Sequence, residues 1–395
     1  MNWDLEGLDW PLIALALGLV VAAWVMRGSQ VAGGWPRWAA AALGLGGVVL
    51  LGHQLYTQVS RPDAPTLEQC LVLMRAEPGE APEAPADVAA PDTMGFVSGA
   101  VWGVYWRLAE DLVAVARTGG VRLTNVRTSG SVDNISRMKS TVNAALGIVQ
   151  GDVPLTMKES TRNEDGMAQL GALMALHREP VQVLTRAQAT NPAGGSLADL
   201  ANQRVVYARD SEGAKLTAQY LLRRLGVSPQ GGTVEGLPAE RAVCDVVTGR
   251  AAAMFVVAGK PAPLLLRVGR LARHWPRALA DLRFMPIQPN PGSSPLPDVY
   301  EAAQLDTSDY PWLPGTTPVR TVAMRAMLVS YDFGTNVSGA AAAKCKQVAQ
   351  LVCTLRQDRL RLRQPPYDPA WREVGGMAND IPGTWAPSRC LPRKC

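Results

Sequence analysis

The apolar and polar positions divide the chain into three stretches of different character. Two apolar runs open it, 10–26 and 38–51, the second extendable to 56. Each approaches the roughly 17 to 25 residues needed to span a bilayer as a helix. The nine residues before the first run carry Asp4, Glu6 and Asp9 and no lysine or arginine, unlike the basic start of a secretory signal. Arg27 and Arg37 lie in the short connection between the runs, which places that connection in the cytoplasm and both chain ends outside. Trp3, Trp10, Trp24, Trp35 and Trp38 fall where an interfacial belt would sit. Next comes a short amphipathic helix over 66–75, with Thr66 as its cap. The stretch 76–93 is nearly all Ala, Pro, Glu, Asp and Gly, too poor in apolar residues to pack. It reads as a linker, and a folded domain is expected to begin near Met94.

From there strand-like and helix-like patterns alternate. Helical spacing covers 106–116, 131–140, 213–225, 239–248 and 340–362. Strand patterns cover 121–126, 145–149, 182–185, 204–207, 252–257 and 320–329. Short β-rich runs between helices predict an α/β architecture with mostly parallel sheets. Such folds bind ligands outside the carboxyl ends of strands. Two loops suit that role, Thr128-Ser129-Gly130-Ser131 and Asp210-Ser211-Glu212-Gly213, each preceding a helix whose amino terminus favours an anion. Hydroxyls before a helix also serve as ordinary caps.

Composition adjusts this picture only slightly. Hydrophobic residues are 47% and charged residues 18%, and the net charge of +5 is spread along the chain. The basic clusters 267–277 and 356–363 lack interleaved aromatics and read as solvated helix faces, so nucleic acid is not expected. Six cysteines form no CxxC pair and only three histidines accompany them, so no metal site is expected. Cys345 and Cys353 lie too far apart on one helix to bridge each other. A bridge through Cys390 or Cys395 and free buried thiols both remain open. Ser136 and Lys139 have the S-x-x-K spacing of serine acyl enzymes, but no K-T-G or S-D-N element accompanies them. No catalytic residues and no cofactor are assigned.

Several segments carry a resemblance. Thr128-Ser129-Gly130-Ser131-Val132-Asp133-Asn134 is followed by Leu146-Gly147-Ile148-Val149-Gln150-Gly151-Asp152-Val153. Then come Ser196-Leu197-Ala198-Asp199-Leu200 with Arg204-Val205-Val206, Val257-Ala258-Gly259-Lys260-Pro261, and Thr321-Val322-Ala323 with Leu328-Val329. In this order they resemble the TAXI-class (TRAP-associated extracytoplasmic immunogenic) solute receptors of TRAP transporters, over roughly residues 94–363. The resemblance implies a two-lobed periplasmic-binding-protein (type II) fold, preceded by the two transmembrane helices. Its parts would be an anchor at 1–56, a short helix and linker at 57–93, lobe 1 at 94–183 and 286–363, lobe 2 at 184–285, and a tail at 364–395. Strands near 181–186 and 284–288 would cross between the lobes, and closure would be a hinge motion.

Carried over by position, the ligand-binding residues would be Tyr105, Thr128, Ser131, Asn134 and Gln150 from lobe 1, with Ser211, Gly213 and Gly259 from lobe 2. The implied ligand is a small carboxylate or amino acid, delivered to TRAP membrane subunits or another complex of the bacterial inner membrane. The main domain would then lie in the periplasm, with the bilayer holding 10–26 and 38–56. Three departures remove polar groups that would pair with a buried carboxylate. They are Val104 within Gly103-Val104-Tyr105-Trp106, Ala214 after Glu212-Gly213, and Thr317 in Gly315-Thr316-Thr317. With the Pro-, Gly- and Trp-rich tail, they point to an alternative role as an accessory or sensory subunit that keeps the binding fold.

Overall fold

The computed structural model describes residues 64–75, 92–140, 144–161, 169–187, 195–287, 296–315, 317–333, 339–374, 384–392 and 394–395. The runs at 10–26 and 38–56, and most of the 76–93 stretch, lie outside them. Among the described residues no helix is long and apolar enough to cross a membrane.

Helix α1 (Leu67–Met74) comes first, and Thr66 caps it in a reciprocal box with Gln69. An alternating run follows: β1 (Met94–Val97), α2 (Val104–Thr118), β2 (Leu123–Val126), α3 (Ser131–Ser140), β3 (Ala144–Gln150) and α4 (Val153–Thr161). A 17-residue strand, β4 (Leu170–Arg186), leads on to β5 (Val205–Ala208), α5 (Glu212–Arg224), β6 (Glu235–Leu237), α6 (Ala239–Val247) and β7 (Ala253–Val257). Three short helices, α7 (Pro263–Leu266), α8 (Val268–His274) and α9 (Pro276–Ala280), precede β8 (Leu282–Phe284). The chain closes with β9 (Glu301–Leu305), β10 (Val319–Tyr331) and the long helix α10 (Gly339–Leu362).

The strands order as β2-β1-β3-β10-β4-β7-β5-β6. In lobe 1, β1 runs parallel to β2 and β3, while β10 is antiparallel to β3 and β4. In lobe 2, β5 runs parallel to β6 and β7, and β4 is antiparallel to β7 and β8. Every residue of β3 and β7 is buried, as expected of strands covered by helices on both faces.

The lobes are joined by long strands that change partner midway. Pro180 of β4 lies opposite Ala323 of β10, while the next residue, Val181, lies opposite Val257 of β7. Proline has no N–H to give to a ladder, so the changeover suits it. The return crossing differs from the expectation at 284–288. Met285 and Ile287 do donate to Val183 and Arg320. The chain nevertheless returns on β10, whose first residues pair with β9 and whose later ones pair with β3 and β4. Residues before β10 pack on lobe 2: Val299 and Tyr300 share a core with Tyr220 and Phe255, and Tyr310 and Leu313 share one with Val243 and Leu265.

The structure decides between the two alternatives left open for the cysteines and corrects one expectation. All six cysteines are paired, as Cys70–Cys244, Cys345–Cys390 and Cys353–Cys395, so none is a free thiol. The folded unit also begins earlier than Met94. Cys70 and Met74 are fully buried against α6, and the 70–244 bridge fastens α1 to lobe 2. The tail after α10 lies against lobe 1. Ala172 exchanges hydrogen bonds with Ala386 and Ser388, and Trp385 Nε1 donates to the Gly151 carbonyl. Gly171 permits this approach, because a Cβ there would overlap the Ser388 backbone.

Candidate functional site

Where the lobes meet, the strand ends and helix starts of both enclose a cavity of about 80 Å³. Lobe 1 contributes Trp102 from the turn before α2, Tyr105 from the start of α2, Ser131 from the start of α3, Gln150 from the end of β3 and Glu179 from β4. Lobe 2 contributes Asp210, Ser211 and Gly213 around the start of α5, with Val257 at the end of β7 and Ala258 after it. The lobes touch around it. Glu212 N–H donates to the Ser129 carbonyl at 3.4 Å, and Gly130 lies against Asp210 and Ser211.

Each residue expected from the sequence has a definite place. Tyr105, Ser131, Gln150, Ser211 and Gly213 line the cavity. Ser131 Oγ accepts from the Gln150 amide, which locks the start of α3 to the end of β3. The Gln150 side chain is only 3% exposed, and its Oε1 has no hydrogen-bond partner. Gly213 sits against it, so that an added Cβ would overlap Oε1 and come within 2.7 Å of Cδ. The other three expected residues do not line the cavity. Thr128 Oγ1 accepts from Gly130 N–H and faces a neighbouring groove. Asn134 is fully buried and donates to the carbonyls of Ser98 and Ile148, bracing two strands. Gly259 leaves room for His177, whose Cδ2 would be 2.8 Å from an added Cβ.

Glu179 was not foreseen. Its signal was a charged triplet, His177-Arg178-Glu179, set inside an otherwise apolar strand. The side chain is 2% exposed and accepts from Tyr105 Oη at 2.7 Å. Burial is the main influence on its carboxyl, pushing it up to about 8. The Tyr105 hydroxyl pulls the other way, and the charge of Asp152 adds to the rise. His177, 3.9 Å away, is held down to about 4, chiefly by burial, and neither ring nitrogen has a hydrogen-bond partner. At neutral pH both groups are therefore mainly uncharged, and their contact is not an ion pair.

Asp152 forms a second junction between the lobes. It is fully buried at the start of α4, and its Oδ2 accepts from Thr217 of α5 at 2.7 Å and from Tyr300 at 2.8 Å. Burial raises its carboxyl to about 6, against the lowering effect of those two hydroxyls. Among the described residues no group of three or more His, Cys, Asp or Glu side chains could hold a metal. Ser136 and Lys139, the S-x-x-K pair, are both exposed on α3 and do not line the cavity.

The expected carboxylate ligand lacks a counter-charge. Among the described residues no lysine or arginine lines the cavity, whereas Glu179 and Asp210 do. The helix starts are also partly engaged. Asp133 already accepts from the Ser129 amide, and the Glu212 amide is spent on Ser129.

These features define an α/β protein with two lobes joined by long strands and a cavity between them. Residues 96–274, from β1 through α8, match the NMT1-like family. No curated protein matches the chain in sequence. Among solved structures, the ligand-binding core of GluR0 with L-glutamate is 15% identical, with 72% of this chain and 99% of that one covered at a TM-score of 0.42. The alkanesulfonate-binding protein SsuA from Xanthomonas axonopodis pv. citri, bound to MOPS, is 13% identical, covering 73% and 86% at 0.39. The arginine-, lysine- and histidine-binding protein ArtJ from Geobacillus stearothermophilus is 10% identical, covering 73% and 97% at 0.40.

Proposed function

We propose that this chain is a solute receptor whose lobes close on a small molecule in the cavity between them. The observation that carries this reading is Gln150, a buried amide facing the cavity from lobe 1, with an unpartnered oxygen and Gly213 of lobe 2 pressed against it. A buried polar atom without a partner is costly, so its place at a cavity wall points to a ligand. Tyr105, Ser131, Ser211 and Gly213 would complete the site. The match of residues 96–274 to a solute-binding family supports the same reading. Its finer form is a TAXI-type receptor, held at the bacterial inner membrane by the two apolar runs, with its lobes in the periplasm and a TRAP-type membrane partner. The order of the segments from Thr128 to Val329 and the arginines between the runs support it. The three intact disulfides suit an oxidising compartment.

The test is a thermal-shift screen of the full chain against a broad panel of small solutes. A ligand at a hundredfold excess over its Kd stabilises by about 2.7 kcal/mol. A saturable shift that disappears in Gly213→Ala, which crowds Gln150, supports the receptor. A flat response from folded protein favours the accessory subunit. Val104 and Val257 in the cavity wall are the observation on that side, since neither side chain offers a solute a hydrogen bond.

A further inference from the structure

We propose that the solute is a small organic cation, its ammonium group received by Glu179 and flanked by Tyr105 and Trp102. This rests on the receptor reading above and reverses the charge that the resemblance implied. Three observations carry it. Among the described residues the ionisable side chains of the cavity wall other than Tyr105 are Glu179 and Asp210, one from each lobe, and no basic side chain lines it. Gln150, 3% exposed, adds an unpartnered acceptor on the same wall, and Asp210 Oδ1 is likewise unpartnered. Two aromatic rings, Trp102 and Tyr105, stand at the same cavity, where their faces can attract an ammonium or a quaternary nitrogen. A carboxylate ligand would instead meet two acidic groups and a bare acceptor without a cation to offset them.

The groups around Glu179 make the binding of charge specific. Tyr105 of α2 donates to it, Asp152 at the start of α4 acts on it through charge, His177 is its neighbour on β4, and Asp210 lies across the cavity. Beyond His177 stand Arg107, Arg325 and Asp368. A cation arriving at Glu179 favours its ionised form, so the carboxyl releases its proton as the ligand enters. Charge balances: one positive charge enters and one proton leaves.

The experiment is a titration of the full chain, disulfides intact and in detergent, followed by calorimetry and by thermal shift. The cationic probes are ethanolamine and choline, with ethylene glycol as the neutral control and glycolate and glutamate as the anions. Ethanolamine or choline is expected to bind saturably and the controls not to. Glu179→Gln, whose amide imitates the protonated acid, should melt no lower than the parent without ligand, yet raise Kd by about tenfold or more, as loss of one charged hydrogen bond would. Choline does not titrate, so in the parent its Kd should fall about tenfold per pH unit between pH 6 and 8, and Glu179→Gln should abolish that slope above about pH 6.5. Binding of glycolate or glutamate while the amines stay inert overturns the cation and leaves the receptor standing. Amine binding with no pH slope and unchanged in Glu179→Gln also overturns the assignment. Silence from every probe overturns the cation, and together with a flat broad screen it overturns the receptor as well.

Discussion

Thr217→Val tests the lobe junction directly. Valine matches threonine in size and shape but cannot donate to the buried Asp152 carboxylate on the opposite lobe. A hydrogen bond to a charged group contributes about 1.5–3 kcal/mol. When the lobes separate, water can replace it, so the loss falls on the closed form. The closed-to-open ratio should drop by roughly 10- to 100-fold. The effect depends on pH, because the Thr217 and Tyr300 hydroxyls are what hold the Asp152 carboxyl down to about 6 against burial. At pH 7.5 the variant confronts a mostly ionised carboxylate with one donor missing. At pH 5 the carboxyl is mostly protonated in both proteins, and the difference should shrink. Tyr300→Phe should behave alike, and the double variant should lose less than the sum, since a carboxyl without donors protonates instead. Small-angle scattering of the unit from residue 64 onward at both pH values reads the closed fraction through the radius of gyration. An unchanged closed fraction in Thr217→Val, or a penalty equal at both pH values, would refute the reasoning.

Replacing Cys70 and Cys244 by serine opens a link across 174 residues of chain. Loop-closure entropy sets its contribution at up to about 5 kcal/mol, and a fall of about 2–5 kcal/mol in urea unfolding is expected. A fragment starting at residue 94 should show a comparable loss and one starting at residue 64 should not, whereas equal stability of both would remove α1 from the folded unit. Stability should also rise as the pH falls from 8 to 6.5. Glu179 titrates at about 8 in the fold against an ordinary 4.5, so its contribution is full at low pH and is lost as pH rises through 8. His177, held at about 4 against 6.5, contributes above 6.5 and loses its contribution as pH falls further. Glu179 therefore dominates the 8-to-6.5 window, Asp152 at about 6 entering only toward its lower end, with a gain of about 2 kcal/mol at 1.36 kcal/mol per unit. Urea midpoints for the parent and Glu179→Gln check it, and a parent without the slope would count against the burial of Glu179.

The local pattern of the chain was enough to place many of its parts. Unbroken apolar runs marked β3 and β7, helical spacing marked α5, α6 and α10, and Thr66 marked the start of α1. Hydroxyls and glycines ahead of helices marked Ser131, Ser211 and Gly213, because strand ends and helix starts converge in folds of this kind. Tertiary structure decided the rest, and each case has a physical reason. Residues 170–186 form one strand, yet only 182–185 read as one, because His177-Arg178-Glu179-Pro180 interrupts the apolar run. Arg178 points to the exposed side, Tyr105, distant in sequence, supplies a hydroxyl to Glu179, and burial keeps Glu179 and His177 mainly neutral. Disulfide partners 42 to 174 residues apart carry no local signal. The return on β10 depends on pairing with β3, β4 and β9, which no residue spacing records. The sequence by itself determined which residues could form strands, helices and caps, since those follow from neighbours a few positions away. The charge of the cavity was set only when the fold brought Glu179 and Asp210 to the same cavity from opposite lobes and, among the described residues, left the arginines elsewhere.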